Sequence, residues 1–445
     1  MRVRFSRTTG IDMRGEAMLI EFRVSNFRSF NEEQVLSLVA ARRDAKHPDS
    51  LIQCNGFDLL KSTVVYGANA SGKSNLIKAF WIMKSIVCGS ATKSNLGDPI
   101  PGIFPFRLNL ETTKKPTRFE VTLLLDDICF LYGFSATRER VHDEFLRVRA
   151  PNAKERERTW FRRTLDADGN TDWEFGGLFE KETKGLKGNL QSTRDNCLLL
   201  SYAAQFNVKC LSRLFLWFRN NLRVEDMSDN PDPLKQETAR AAQGNEAFFG
   251  RVLGLVRDAD FGIEKISFQP NILDSMFKEV TETSAPAALD IQTLHRVEGS
   301  DVPIAFDMRE DESNGTNRFF ALVGPFLEAL DDGRVVVVDE LECSMHPLLT
   351  RKLIELFQDP EQNKKGAQLI FATHDVSLMD PYLFRRDQIW IVEKRQSGAS
   401  VLFSLYDFET EERPRNTEAF QKNYLAGRYG GVPSFGPFFE NLEGR

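Results

Sequence analysis

Gly67-Ala68-Asn69-Ala70-Ser71-Gly72-Lys73-Ser74 has the residue types and spacing of a phosphate cradle. Glycines at both ends let main-chain N–H groups turn inward around phosphate oxygens, and a helix that follows aims its positive end at them. In such a loop Lys73 reaches the β- and γ-phosphates of a nucleoside triphosphate, and the Ser74 hydroxyl ligates Mg2+. The expected contacts are Gly67, Asn69, Ala70, Gly72, Lys73, Ser74 and Asn75. A chance match needs no particular surroundings. Here an apolar strand, Ser62–Val65, precedes the loop, and residues 75–90 follow with helical spacing. Leu76, Ala79, Phe80, Met83 and Val87 share one side of that helix.

Val335-Val336-Val337-Val338-Asp339-Glu340 is the second constellation. Four β-branched residues make a buried central strand, and it ends in two adjacent carboxylates that a core strand does not otherwise tolerate. Asp339 is expected to hold Mg2+, directly or through water, and Glu340 to polarise the attacking water. Leu369-Ile370-Phe371-Ala372-Thr373-His374-Asp375 is a strand ending in histidine; alone, such a histidine is usually an ordinary surface residue. Ser313, in Asp311-Glu312-Ser313-Asn314-Gly315-Thr316-Asn317, would by itself be a plain helix cap.

Positioning these groups requires strands alternating with helices. Residues 19–40 read as two short strands, Ile20–Val24 and Val35–Val39. Phe119–Leu125, Cys129–Ala136 and Glu144–Val148 form a strand-like block with turn signals between them. Residues 150–300 are the least periodic, with helices expected at 195–219 and 241–257 and no sustained heptads. Beyond 300 the pattern gives a helix over 316–330, strand Val335–Val338 and a helix over 347–358. Strands Gln368–Ala372 and Gln388–Glu393 follow. This order predicts an α/β fold: a mainly parallel sheet, an antiparallel β subdomain and a mixed helical insertion. The expected division is a disordered or non-native tail (1–17), an N-terminal part of the head (18–150), an inserted, mainly helical lobe (151–300) and a C-terminal part of the head (301–445).

Composition is that of an ordinary globular protein, 41% hydrophobic and 27% charged. No apolar stretch approaches about 18 residues, and no signal peptide is evident, so neither membrane insertion nor export is expected. The six cysteines have neither the pairing of a disulfide framework nor that of a zinc site, which points to a reducing cytoplasm. A net charge of −6 gives no global attraction to nucleic acid. The basic stretch 138–163, including Arg138, Arg140, Arg147, Arg149, Lys154, Arg156, Arg158, Arg162 and Arg163, is interleaved with acids and reads as a solvated mixed-charge hairpin. Phe435, Phe438 and Phe439 read as core or dimer contacts.

Taken with Phe27-Arg28-Ser29-Phe30, these motifs resemble the AAA-15/AAA-21 group of ABC-type ATPases. Arg386-Asp387-Gln388-Ile389-Trp390 and Tyr424-Leu425-Ala426-Gly427-Arg428-Tyr429-Gly430 narrow the resemblance to the RloA-like branch, near the ATPase subunit of the PARIS phage-defence system. The resemblance implies an ATPase using ATP and Mg2+, with His374 as the switch histidine that contacts the γ-phosphate. It makes Ser313 and Gly315 the signature that binds nucleotide held by another protomer, hence a head-to-tail dimer or higher homo-oligomer. It also implies a sensor or scaffold that controls a separate effector subunit, often a nuclease, with phage protein or DNA as trigger. Two departures stand out. The D-loop aspartate of ABC transporters falls at His346, and no Q-loop glutamine is evident around Phe104-Pro105-Phe106-Arg107. Turnover can therefore be slow. No nuclease constellation is visible, so cleavage belongs to a partner. The competing reading is a DNA-repair ATPase of the RecF/SMC kind that clamps DNA on dimerising; a transporter motor fits poorly with the long insertion.

Overall fold

Val335–Val338 favour extended backbone, and being apolar on both faces they need cover on both. The computed structural model supplies that cover. It describes residues 17–433 apart from 150–156, 272–273, 275–287, 409–417 and positions 43, 45, 167, 184, 207, 228–229 and 260. The expected N-terminal tail lies outside the described residues up to position 16, and so do Phe435, Phe438 and Phe439.

Along the chain, β1 (Ala17–Ser25) and β2 (Gln34–Ser37) are followed by a small hairpin of β3 (Leu51–Cys54) and β4 (Phe57–Leu60). β5 (Ser62–Tyr66) runs through the glycine loop into α1 (Lys73–Gly89). Five strands follow: β6 (Thr117–Leu125), β7 (Ile128–Ala136), β8 (Val141–Arg149), β9 (Arg158–Leu165) and β10 (Thr171–Phe175). Short helices α2 (Gly177–Glu182), α3 (Lys187–Gln191), α4 (Leu199–Ala203) and α5 (Lys209–Leu216) lead to β11 (Leu222–Asp226). Then come α6 (Asp232–Gln243), α7 (Glu246–Asp258), β12 (Ile263–Pro270), β13 (Leu289–Val297) and β14 (Ser300–Asp307). The last part holds α8 (Asn314–Asp332), β15 (Val335–Asp339), α9 (Pro347–Gln358), β16 (Gln368–Ala372), β17 (Ile389–Lys394), β18 (Ser400–Ser404) and α10 (Phe420–Leu425).

The central sheet has the order β11-β15-β16-β5-β17-β18, parallel except for the β17–β18 pair. Its side chains alternate between two cores, as a period of two requires. Val335, Val337, Ile370 and Val65 join one core with α1 and the antiparallel sheet β10-β9-β8-β7-β6-β1-β2. Val336, Val338, Phe371 and Val64 join the other with α6, α7, α8 and α9. Buried Gln368 ties the two sheets together. Its Oε1 accepts the Leu19 N–H at 2.7 Å, and its Nε2 donates to the Leu19 carbonyl at 3.0 Å.

The α/β class, the mainly parallel sheet and the antiparallel subdomain agree with the sequence reading. Segment 151–300 also carries strands that the sequence reading did not place. That segment lengthens the antiparallel sheet with β9 and β10 and supplies β11 to the central sheet. It also contributes β12 and β13 to the three-stranded sheet β12-β13-β14. These strands are rich in charged and half-exposed residues, so their period of two is weak in hydrophobicity alone. The helix expected over 195–219 is broken into α4, α5 and a π-turn at Trp217–Asn221. The one expected over 241–257 is broken at Gly244, where the Asn245 side chain caps α7 by accepting the Phe248 N–H at 3.1 Å.

Candidate functional site

Parallel strands put their C-terminal ends at one edge, and this edge collects the segments leaving β5, β11, β15 and β16. The glycine loop leaves β5, Asp226 ends β11, Asp339 ends β15, and His374 lies just past β16. The sequence-predicted groups on these strands thus come together.

The loop is built by contacts that exclude side chains. A Cβ on Gly67 (φ 154°) would lie 2.3 Å from the Val392 carbonyl oxygen. One on Gly72, in the left-handed region at φ 119°, would lie 2.6 Å from Ser400 Oγ and 2.7 Å from Ser29 Oγ. Glycine is the residue that fits both positions. Asn69 and Ala70 form the exposed crown, Ala70 with φ 61°. Asn75 directs its amide to Ser29 Oγ at 2.8 Å, bracing the loop from the Phe27–Phe30 motif.

Lys73 is buried and donates to the carbonyls of Gly67 (2.8 Å) and Ala68 (3.2 Å), which holds its ammonium in the mouth of the loop. Burial lowers its pKa to about 8, against the opposing pull of Asp339, Glu342 and Glu340. Asp339 is pushed above the usual carboxylate range, first by burial and further by Asp226 and Glu340; a hydrogen bond from Ser74 opposes the shift. Ser74 thus lies near enough to Asp339 to act on its charge. Asp339 Oδ1 is buried without a hydrogen-bond partner. A hydroxyl beside an orphaned, charge-crowded carboxylate oxygen fits Mg2+, which needs only one or two protein ligands besides phosphates and water. Glu340 sits in the left-handed region at φ 52°, unusual for a residue with a Cβ. His374 is exposed overall; partial desolvation of its ring and the Lys73 charge lower its pKa, while Glu342 and Glu340 oppose the shift.

Ser313 and Gly315 lie on the other face of the sheet from Lys73, with Gly315 against Ser344 in the turn that leaves β15. They start α8, which packs in the opposite core from α1. Ser313 is exposed and caps α8, its Oγ accepting the Thr316 N–H at 3.1 Å. The D-loop position, His346, is likewise a cap: its Nδ1 accepts the Leu348 N–H at 3.2 Å at the start of α9. The 104–107 segment packs on the β1–β2 loop, through Arg28 N–H to the Phe104 carbonyl (2.7 Å) and Phe106 N–H to Asn26 (2.9 Å).

Sequence reasoning missed Asp226 and Glu342. Asp226 pairs in register with Asp339 on the neighbouring strand. Its only signal was Val224-Glu225-Asp226, a fainter version of the Val-Asp-Glu strand end. Beside this carboxylate pair lies a cavity of ≈ 480 Å3 lined by Arg28, Lys78, Trp81, Asp226 and Asp339, among others. The basic stretch is a mixed-charge hairpin: Arg147 pairs with Glu157 and Arg162 with Asp143, both at 3.1 Å, and Trp160 and Phe161 are buried. Lys154 and Arg156 lie outside the described residues. Among the described residues no helix is long and apolar enough to cross a membrane.

Among the solved structures that resemble the chain are two SMC heads. One is an SMC head bound to the C-terminal winged-helix domain of ScpA, with 13% identity and a TM-score of 0.39, covering 87% of this chain and 97% of that one. The other is the SMC head domain from Thermotoga maritima, with 13% identity and a TM-score of 0.37, covering 87% and 98%. No curated protein matches the chain. The family model AAA_21, described as "AAA domain, putative AbiEii toxin, Type IV TA system", matches residues 62–380. That span runs from the first residue of β5 past His374 and holds the glycine loop, Ser313, Gly315, Asp339 and Glu340, and the chain belongs to the AAA_21 family.

Proposed function

We propose that this chain binds ATP with Mg2+ and hydrolyses it in composite sites, each joining Gly67–Ser74 of one copy to Ser313–Gly315 of another. One observation carries the reading. Lys73, Ser74, Asp339, Glu340 and His374 gather at one edge, while the exposed signature serine stands on a helix across the sheet. A head-to-tail partner supplies what a single copy holds apart.

In this reading the loop N–H groups and the Lys73 ammonium bind the β- and γ-phosphates. Ser74 and Asp339 hold Mg2+, which when bound neutralises charge on the phosphate oxygens. A Glu340 carboxylate oxygen accepts a hydrogen bond from the attacking water and orients it. The His374 imidazole and the Ser313 hydroxyl approach the γ-phosphate from opposite protomers.

The wider role we propose is a cytoplasmic, RloA-like sensor or scaffold in antiphage defence, whose nucleotide state controls a separate toxic effector, with a nuclease the leading class. The family description, which names a toxin–antitoxin setting, supports this role. A net charge of −6 and arginines already paired with acids favour it over a DNA clamp. Affinity capture of tagged protein from its host, with mass photometry with and without ATP, tests it. Recovery of a nuclease-like subunit in an assembly upholds the sensor. A bare ATP-dependent dimer carrying only DNA overturns it in favour of the clamp.

A further inference from the structure

His374 N–H lies where the sheet ends. The last ladder contact on that side is Thr373 N–H to the Val65 carbonyl at 3.2 Å, and no strand receives the next amide. A side chain receives it instead: Glu342 Oε1 accepts the His374 N–H at 2.5 Å. Glu342 is itself fixed by a tight turn. Cys343 N–H donates to the Glu340 carbonyl at 2.9 Å, and Met345 N–H to the Glu342 carbonyl at 2.8 Å. Leu341 N–H reaches the Ala372 carbonyl at 3.3 Å, joining this turn to the end of β16.

The second oxygen of the same carboxylate, Glu342 Oε2, is buried without a hydrogen-bond partner. Its charge acts on Lys73 and on the His374 ring, and on buried Tyr66 immediately before the loop. One carboxylate therefore holds the main chain of the switch histidine and adds negative charge beside the lysine and the imidazole.

We propose that Glu342 is a positioning residue for the hydrolysis reaction: it anchors His374 through the main-chain N–H, so that the imidazole is presented to the γ-phosphate. This rests on the ATPase reading above. Without the anchor the chain past Thr373 loses its only fixed contact at that amide, and the imidazole samples orientations that do not serve the reaction. ATP binding, which depends on the glycine loop and Lys73, persists.

The test compares Glu342→Gln and Glu342→Ala in the full chain, measuring kcat, KM and the Kd for radiolabelled ATP. Glutamine keeps an acceptor oxygen and is expected to stay within about threefold of wild type in kcat, whereas alanine loses about tenfold or more with Kd little changed. Adding His374→Ala to Glu342→Ala is expected to cost less than about twofold more, because residues that act as a unit are not additive. A glutamine variant as slow as alanine, a loss confined to KM, or a multiplicative double mutant overturns the proposal. So does a lowered Tm with unchanged kcat. Wild-type protein that does not hydrolyse ATP would sink the ATPase reading instead. The anchor is then scored by imidazole NMR, tractable with five histidines. A His374 signal perturbed by Glu342→Ala but not by Glu342→Gln upholds it, and one unchanged in both overturns it.

Discussion

Gly315, in the first turn of α8, packs directly on the main chain of Ser344: a Cβ at position 315 would lie 2.8 Å from the Ser344 carbonyl oxygen. Ser344 is held at φ 59° in the turn just after Asp339 and Glu340, so it has little freedom to retreat. Gly315→Ala should push the start of α8, and with it Ser313, out of place. ATP binding to an isolated copy should be unchanged. Hydrolysis should fall about tenfold or more, because in the proposed composite site the displaced group serves another copy's nucleotide. Equilibrium dialysis and a phosphate-release assay on the same preparation check both halves.

Glu340→Gln removes the carboxylate while keeping its shape. The variant should bind ATP as wild type does and hydrolyse it about a hundredfold or more slowly, trapping the ATP-bound assembly. Lys73→Ala should instead weaken binding itself, because the ammonium in the loop mouth is lost. Glu340→Gln turning over at the wild-type rate would remove Glu340 from its assigned role.

Without nucleotide or divalent cation, Lys73 titrates at about 8. Bound phosphates favour the charged form, so the bound pKa lies higher than the free one. Affinity is then full below pH 8 and declines as pH rises through it, with a limiting slope of about tenfold per pH unit. Titration of ATP in EDTA between pH 7 and pH 9.5 measures the slope. Lys73→Arg, which stays charged across that range, should flatten it.

Gln368→Leu keeps the volume of the bridge between the two sheets and removes its hydrogen bonds. The Leu19 N–H and carbonyl, which Gln368 meets at 2.7 and 3.0 Å, are then buried unpaired. A loss of about 2–6 kcal/mol is expected, since each of the two orphaned main-chain groups costs about 1–3 kcal/mol. Urea unfolding should show the midpoint fall.

The parts of the fold that sequence reveals are those with strong hydrophobic contrast. Val335–Val338 and Gln368–Ala372 are buried on both faces, and their bounds are close to the expected ones. The helix over 347–358 matches to the residue, because His346 caps it and Pro347 occupies its first turn. β12 to β14 were not legible because their residues are largely half-exposed or exposed, so tertiary pairing decides their state. The same holds for the site. Lys73, Ser74, Asp339 and Glu340 sit in contiguous motifs whose spacing has a chemical reason. Asp226 lies more than a hundred residues from any of them and becomes a neighbour only through the β11–β15 pairing. Glu342 reads as an ordinary turn residue until the end of β16 is placed against it. His346 looks like a misplaced aspartate until its capping hydrogen bond is seen.

The central claim is that two copies share each site, and complementation tests it most directly. Lys73→Ala and Ser313→Arg are each expected to be inactive alone, because each breaks both sites of its own dimer. Mixed in equal amounts, half the dimers pair one of each and hold one intact site out of two. The mixture should recover about a quarter of wild-type activity per protomer. Mixtures as inactive as their components, or Ser313→Arg hydrolysing ATP at the wild-type rate on its own, would contradict the account.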